Sequence, residues 1–307
     1  MFIELKAGMN DNGRRLDRIL RKALPDHSLS LIHRLLRQRK VQVNGKPVNI
    51  PGKQIMQGDL IKIQVQKDIT GGKKQEKTTP APLPEILWQG LGIIIFNKPS
   101  GLSTHGPGSL DNLVQIHFAS KLSPSLSFKP GPLHRLDKLT SGAIAFSETL
   151  EGAKLFSLLL KEHKLEKTYL AIIEGHISKN EIWQDDLTRN KKEQKTYVMS
   201  DDNSKSALTI VKPIAYNSLC TLVEARIKTG RTHQIRAQAA AHGHPLAGDS
   251  KYGGHPISGA EYGFFLHAWK IELCESIEGF PGLIEAPLPE RFLANVSGFS
   301  PFSQIPG

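Results

Sequence analysis

Between Gln66 and Leu83 the chain offers only Ile69 and Ala81 as apolar side chains; the rest of KDITGGKKQEKTTPAP is Lys, Gly, Thr, Pro and other polar residues. A stretch of that composition cannot bury enough apolar surface to offset the entropy of ordering it. Residues 67–84 are therefore expected to be a flexible charged linker. It divides the 307 residues into a short N-terminal unit, 1–66, and a larger body, 85–307.

Charge divides at the same place. Residues 1–80 hold 17 Lys+Arg against 7 Asp+Glu, whereas the remainder holds 23 against 22. Nearly all of the net charge of +11 thus sits in the first quarter, as in a polyanion-binding module joined to a near-neutral body. The pattern supports a folded module. Leu16, Ile19, Leu20, Ala23 and Leu24 recur at helical spacing, with Arg18, Arg21 and Lys22 on the other side. A break is expected at Pro25-Asp26, and Ser28 or Ser30 can cap a second helix. There Leu31, Ile32, Leu35 and Leu36 form the apolar side, and Arg34 and Arg37 point away as candidate RNA contacts. Asn44-Gly45 within VQVNGKPV is a tight hairpin signal, and LIKIQV alternates as a strand does.

From residue 85 the pattern predicts strands at Leu91–Phe96, Ala143–Phe146, Tyr169–Ile173, Leu208–Val211, Leu219–Ile227 and Phe264–Ile271. Helices are expected over 150–163 and in RTHQIRAQAAAHG. Many strands and few helices point to an α+β fold with a long, mainly antiparallel sheet.

Two separated cysteines, Cys220 and Cys274, exclude a disulfide framework and a Cys-rich zinc site, and fit a reducing compartment. No apolar run nears the roughly 18 residues of a membrane span, and MFIELKAGMN does not read as a secretory signal. A cytoplasmic location away from membranes is expected, with a monomer as the plain state.

The stretch HRLDKLTSG, residues 134–142, sets a carboxylate among cations, just before an apolar strand. It is not a kinase loop, since Leu136 separates Arg135 from Asp137 and no Gly-rich phosphate loop precedes it. Ser141 lacks a nucleophile-elbow context, and no second carboxylate stands nearby for glycosidase chemistry. His242-Gly243-His244 is followed by proline and lacks a ligand cluster, so no metal is expected. The nine residues by themselves favour an Asp that caps a turn or pairs with a surface arginine.

Several segments in order change that balance. HRLDKLTSG resembles the central H-R-L-D-x-x-T-S-G segment of the RluA-type pseudouridine synthases. NKPSGLSTHG (97–106), KTYLAIIEGH (167–176) and KTGRTHQIRAQAAAHGHPLAGDSKYGG (228–254) resemble the family's other conserved segments, as do FFLHAWKI and EAPLPERF. The N-K-P-S-G segment with its following His-Gly is similar to the RluC-like branch, which modifies large-subunit ribosomal RNA. Residues 14–66 resemble the alpha-L-type RNA-binding domain of a small-subunit ribosomal protein. One departure is visible: members commonly continue Q-I-R with Val-His, and this chain has Ala237-Gln238.

The resemblance implies a pseudouridine-synthase-like catalytic domain with a long mixed sheet, and a small basic α/β RNA-binding domain before it. It implies isomerisation of uridine to pseudouridine in RNA, without a cofactor. Ribosomal RNA is the expected partner; the same chemistry on tRNA, or a non-catalytic RNA-binding role in ribosome assembly, is the alternative. Asp137 then aligns as the catalytic carboxylate; attack on the sugar, attack on the uracil ring, or assistance of a glycal route all fit. Tyr169 aligns as the residue that stacks on the base, and Arg236 as the partner of Asp137. Arg135 aligns as a residue that fills the space of a flipped nucleotide or contacts its phosphate. Arg231 and His233 align as further RNA contacts.

Overall fold

The computed structural model describes residues 2–24, 27–65, 81–118, 125–126, 128–257 and 263–301. The expected break at Pro25-Asp26 and most of the expected linker, 66–80, lie outside the described residues.

The N-terminal unit runs strand β1 (Phe2–Lys6), helices α1 (Leu16–Ala23) and α2 (Leu29–Arg37), then β2 (Val41–Val43), β3 (Lys46–Pro47) and β4 (Leu60–Gln64). The strands form one sheet in the order β1-β4-β2-β3. Ser28, not Ser30, caps α2: its hydroxyl accepts from Leu31 N at 3.3 Å. Asn44 and Gly45 both hold positive φ, 52° and 76°, as a tight hairpin turn requires. Leu16, Ile19, Leu20, Ile32 and Leu36 are fully buried together with Ile61 and Ile63 from the sheet. Each such side chain contributes about 1.5–3 kcal/mol through burial. The helix faces left over carry Arg18, Arg21, Arg34 and Arg37, all exposed.

The larger body is built on one sheet. Its main path uses β5 (Ile86–Gly90), β6 (Ile93–Lys98), β7 (Ser141–Ser147), β8 (Leu165–Glu174), β9 (Glu181–Asn190), β10 (Lys195–Val198), β11 (Lys205–Tyr216), β12 (Cys220–Ile227) and β13 (Leu266–Leu273). Their order is β10-β9-β11-β12-β8-β13-β7-β6-β5. Only the β7–β13 pair on this path is parallel. Helices α3 (Leu110–Phe118), α4 (Leu150–Lys161), α5 (Gln234–Ala241) and α6 (Glu290–Val296) complete it. One apolar cluster joins Phe96, Ile144 and Phe146 to Ala171, Val223 and Ile235. A second, with Ile93, Ile95, Phe156 and Ile271, lies on the other face of β6, as strand alternation demands.

Two expectations need correction. The strand expected at Leu91 begins at Ile93, because Leu91 (φ 51°) and Gly92 (φ 71°) form the hairpin turn after β5. The ten-residue strand β9, EIWQDDLTRN, escapes prediction because it is charged and half-exposed; only Trp183 and Leu187 are buried.

The two units touch through buried polar groups. Asn10 Oδ1 accepts from Leu150 N at 3.1 Å, at the start of α4. Asp11, fully buried, accepts from Leu126 N at 2.9 Å and from Ser125 Oγ at 2.8 Å. Leu126 also packs against the N-terminal apolar cluster.

Candidate active site

The loop from His134 to Thr140 is held from beneath by the segment that follows β6. Thr104 Oγ1 donates to Leu136 O at 2.8 Å and receives Leu136 N at 3.3 Å. Gly101 N and Lys98 Nζ donate to Lys138 O, at 2.9 and 3.2 Å, and Ser100 Oγ donates to Leu139 O at 2.8 Å. The sequence NKPSGLST thus supplies donors to the carbonyls around Asp137. Lys98 also donates to Pro99 O and Leu102 O, and burial pushes it down to about 7, against the pull of the Asp137 charge.

Downstream, Gly142 permits the loop to enter the sheet. Its φ is +105°, and a Cβ there would lie 2.2 Å from Ala268 O. His134 lines the same cavity as Asp137, and its ring is used for support. Its Nε2 accepts Ala145 N at 3.0 Å, its ring stacks on Phe156, and burial lowers it to about 3, so it is a neutral support of the loop.

The structure brings Arg236 into contact with Asp137 and places Tyr169 in the same cavity. Arg236 Nη1 donates to Asp137 Oδ2 at 2.9 Å across 99 residues of sequence. Tyr169, buried on β8, lines the same cavity as Asp137 and Arg135. Burial first, and then the charge of Asp137, raise the Tyr169 phenol above its ordinary value, so it keeps its proton at neutral pH.

Arg236 is itself fixed more tightly than the sequence suggested. Its Nε and Nη2 grip Asp249 at 2.6 and 2.8 Å, a bidentate pair. The guanidinium lies between Tyr252 and Phe264, 4.9 and 4.2 Å from their ring centres. Burial disfavours its charge, but Asp249 and Asp137 outweigh that and raise its pKa. Asp249 and Tyr252 stand in GDSKYGG, a segment whose resemblance is plain but whose individual roles the sequence did not reveal.

His233 approaches the same carboxylate, with Nε2 3.7 Å from Asp137 Oδ1. It occupies the left-handed region, φ 54°, at the entry to α5, a conformation that a side chain other than glycine holds only when its surroundings enforce it. The adjoining Gln234 is bonded through both ends of its amide. Its Oε1 receives Thr229 Oγ1 and Arg231 N, and its Nε2 reaches Leu208 O. Burial drops His233 to about 4, so the imidazole is neutral near pH 7. With Thr196 N donating into Tyr252 Oη, the phenol proton can serve His233 Nδ1 at 2.9 Å. In that tautomer the imidazole proton sits on Nε2, toward Asp137.

Arg135 and Arg231 are exposed at the cavity wall; Arg231 Nε is anchored to Ser206 O at 3.0 Å. Arg34 and Arg37 are exposed on α2 and do not line the cavity. The departure at Ala237-Gln238 faces away from the chemistry. Gln238 is fully buried and bonds Trp183 O and Asp185 Oδ2, while Ala237 packs with Leu187 and Tyr252. His242 and His244 are structural partners of Asp185 and of Glu174 O.

A lone aspartate cradled by an arginine, beside a buried tyrosine on a long antiparallel sheet, is the constellation expected of a pseudouridine synthase. The RNA pseudouridylate synthase family model matches residues 92–241, and the S4 domain model matches residues 14–61. Ribosomal large subunit pseudouridine synthase C of Vibrio vulnificus is 32% identical over 292 residues, covering 91% of this chain and 90% of its own. Ribosomal large subunit pseudouridine synthase D of Escherichia coli is 29% identical over 306 residues, covering 94% and 92%. The structure of human RNA pseudouridylate synthase domain containing 4 shares the fold, with a TM-score of 0.57 over 69% of this chain and 91% of that one, at 23% identity. The chain belongs to the RNA pseudouridine synthases of the RluA type and carries an N-terminal S4 domain; it is an isomerase acting on uridine in RNA.

Proposed function

We propose that this enzyme isomerises specific uridines of large-subunit ribosomal RNA, with Asp137 as its catalytic carboxylate. The observation that carries the assignment is the bridge Asp137–Arg236–Asp249, whose Asp137 lines a cavity of about 570 Å³. The substrate class is supported by the synthase C and synthase D relatives, which are named for the large ribosomal subunit and match over nine-tenths of this chain.

In the reaction the bond from the sugar to uracil N1 breaks, the base turns, and a bond forms to C5. C5 loses its proton and N1 gains one, so nothing is oxidised and no group leaves the RNA. Arg236 orients Asp137 toward the sugar and base, and its charge matches the carboxylate whenever that group is free. Tyr169 offers a protonated phenol and a ring face to the turning base. Arg135, at the lip, takes the space that the flipped nucleotide leaves, a step that costs a few kcal/mol of stacking. Arg231 and His233 contact the RNA at the cavity wall.

The chain works as two parts, an RNA-gripping unit at 1–66 and a catalytic body at 85–307. Arg34 and Arg37 on α2 supply phosphate contacts. The protein acts as a monomer in the cytoplasm; among the described residues no helix is long and apolar enough to cross a membrane. The test is to map pseudouridines in total RNA from cells lacking the protein, then with wild type or Asp137→Asn restored. Sites in large-subunit ribosomal RNA should vanish and return only with wild type. Sites lost solely from tRNA would overturn the substrate assignment, and sites restored by Asp137→Asn would overturn the role of Asp137.

A further inference from the structure

Lys98 is fully buried and Lys167 half-buried in the catalytic body, and they are used differently. Lys98 gives its three protons to three carbonyls, as a lysine that belongs to the fold does. Lys167 lies two residues before Tyr169 on β8, so both side chains leave the same face of the strand and line the same cavity. Among the described residues Lys167 Nζ makes neither a hydrogen bond nor an ion pair. Its neighbour Glu166 is occupied by Lys228 and by Arg226, the latter at 3.2 Å. The ammonium sits against the Thr229–Gly230 turn, 3.8 Å from where a Cβ on Gly230 would lie. Burial alone pushes Lys167 down to about 8, with no carboxylate offsetting it.

A half-dehydrated ammonium with unmet donors, facing an open cavity, is a receptor waiting for an anion. The anion of an RNA substrate is its phosphodiester. The reaction also demands such a grip: once the base is detached, a ribose held only through its base would be free to drift. We propose that Lys167 binds a backbone phosphate flanking the target uridine and holds the sugar side in place while the base turns. This assignment rests on the pseudouridine-synthase reading of the cavity.

The test compares wild type, Lys167→Met and Lys167→Arg on a large-subunit ribosomal RNA transcript. Methionine keeps the volume and removes an uncompensated, half-buried charge. The free protein should therefore melt at the same or a higher temperature than wild type, whereas a lysine needed for the fold would lower it. Affinity for the transcript should fall about tenfold, in the range of one charge-assisted hydrogen bond. The slope of log K against log salt should shrink by about 0.7–0.9, as the removal of a single lysine–phosphate pair requires. The fall in kcat/KM should be carried by KM, and Lys167→Arg should keep the wild-type salt slope. Lys167→Gln should repeat the slope change and guards against a misfolded Met variant. A wild-type slope and affinity in Lys167→Met and Lys167→Gln would overturn the proposal, as would a loss of kcat at unchanged affinity. Wild type runs in parallel: its failure to modify the transcript would count against the substrate assignment instead, so the two failures are distinguishable.

Discussion

The arginines of α2 and the arginine of α5 bear the same charge in opposite surroundings. Arg34 and Arg37 are exposed, on a face left over once Ile32, Leu35 and Leu36 are buried. Their charge is what matters, so neighbours such as Arg18 and Arg21 share the load, and salt screens them all. Arg236 is 7% exposed, held by two carboxylates and lying between two rings. There, geometry decides: only a planar fork of donors can face Asp137 and Asp249 together. On the proposed function, the contrast teaches that one residue type sets affinity at one end of the chain and chemistry at the other.

That contrast can be broken at Arg236 first. Arg236→Ala leaves Asp137 and Asp249 without their shared cation, which should cost about 3–5 kcal/mol of stability along with all activity. Arg236→Lys should fold but lose at least about 100-fold in kcat, since a point charge cannot orient Asp137 through two grips. Chemical denaturation and single-turnover assays check both, and a Lys variant near wild-type rate would show that charge alone suffices.

The acid limb of stability belongs to the catalytic body. Burial lowers His134 to about 3 and His267 to about 4, whereas an unfolded histidine titrates near 6.5. Between pH 4 and 6.5 the unfolded chain therefore holds more protons than the folded one. Stability is present above that window and is lost as pH falls through it, by at most about 2.7 kcal/mol per pH unit for the two groups. Urea midpoints at pH 7 and pH 5 should show the drop; equal midpoints would contradict the burial of these rings.

The smallest effect is expected on α2. Arg34→Ala with Arg37→Ala should reduce the salt slope of RNA binding by about 1.4–1.8 and raise KM several-fold. Filter binding at several salt concentrations measures it, and an unchanged slope would remove these two residues from the RNA interface.

Much of this was legible in the residues, for reasons that differ by element. Helical spacing placed the buried faces of α1 and α2 because each helix packs one stripe. Asn44-Gly45 announced its turn because few residues accept positive φ twice in a row. The strand β9 stayed hidden because half-exposed charged strands carry no apolar period. At the site, Asp137, Tyr169 and Arg236 came from resemblance: nothing local in HRLDKLTSG says that its partner lies 99 residues on. Asp249, Tyr252 and the clamp from Lys98 to Thr104 were missed for the same reason. Their roles exist only after the sheet brings β6, β7 and α5 to one edge of the cavity.

Grip and chemistry should therefore be separable within one molecule. The direct measurement takes Asp137→Asn and reads RNA affinity and pseudouridine formation in the same tube, on the same large-subunit transcript. Affinity should stay within about twofold of wild type, because Arg34, Arg37 and the cavity's cations are unchanged, while no pseudouridine forms. Pseudouridine accumulating at a rate near that of wild type would contradict it.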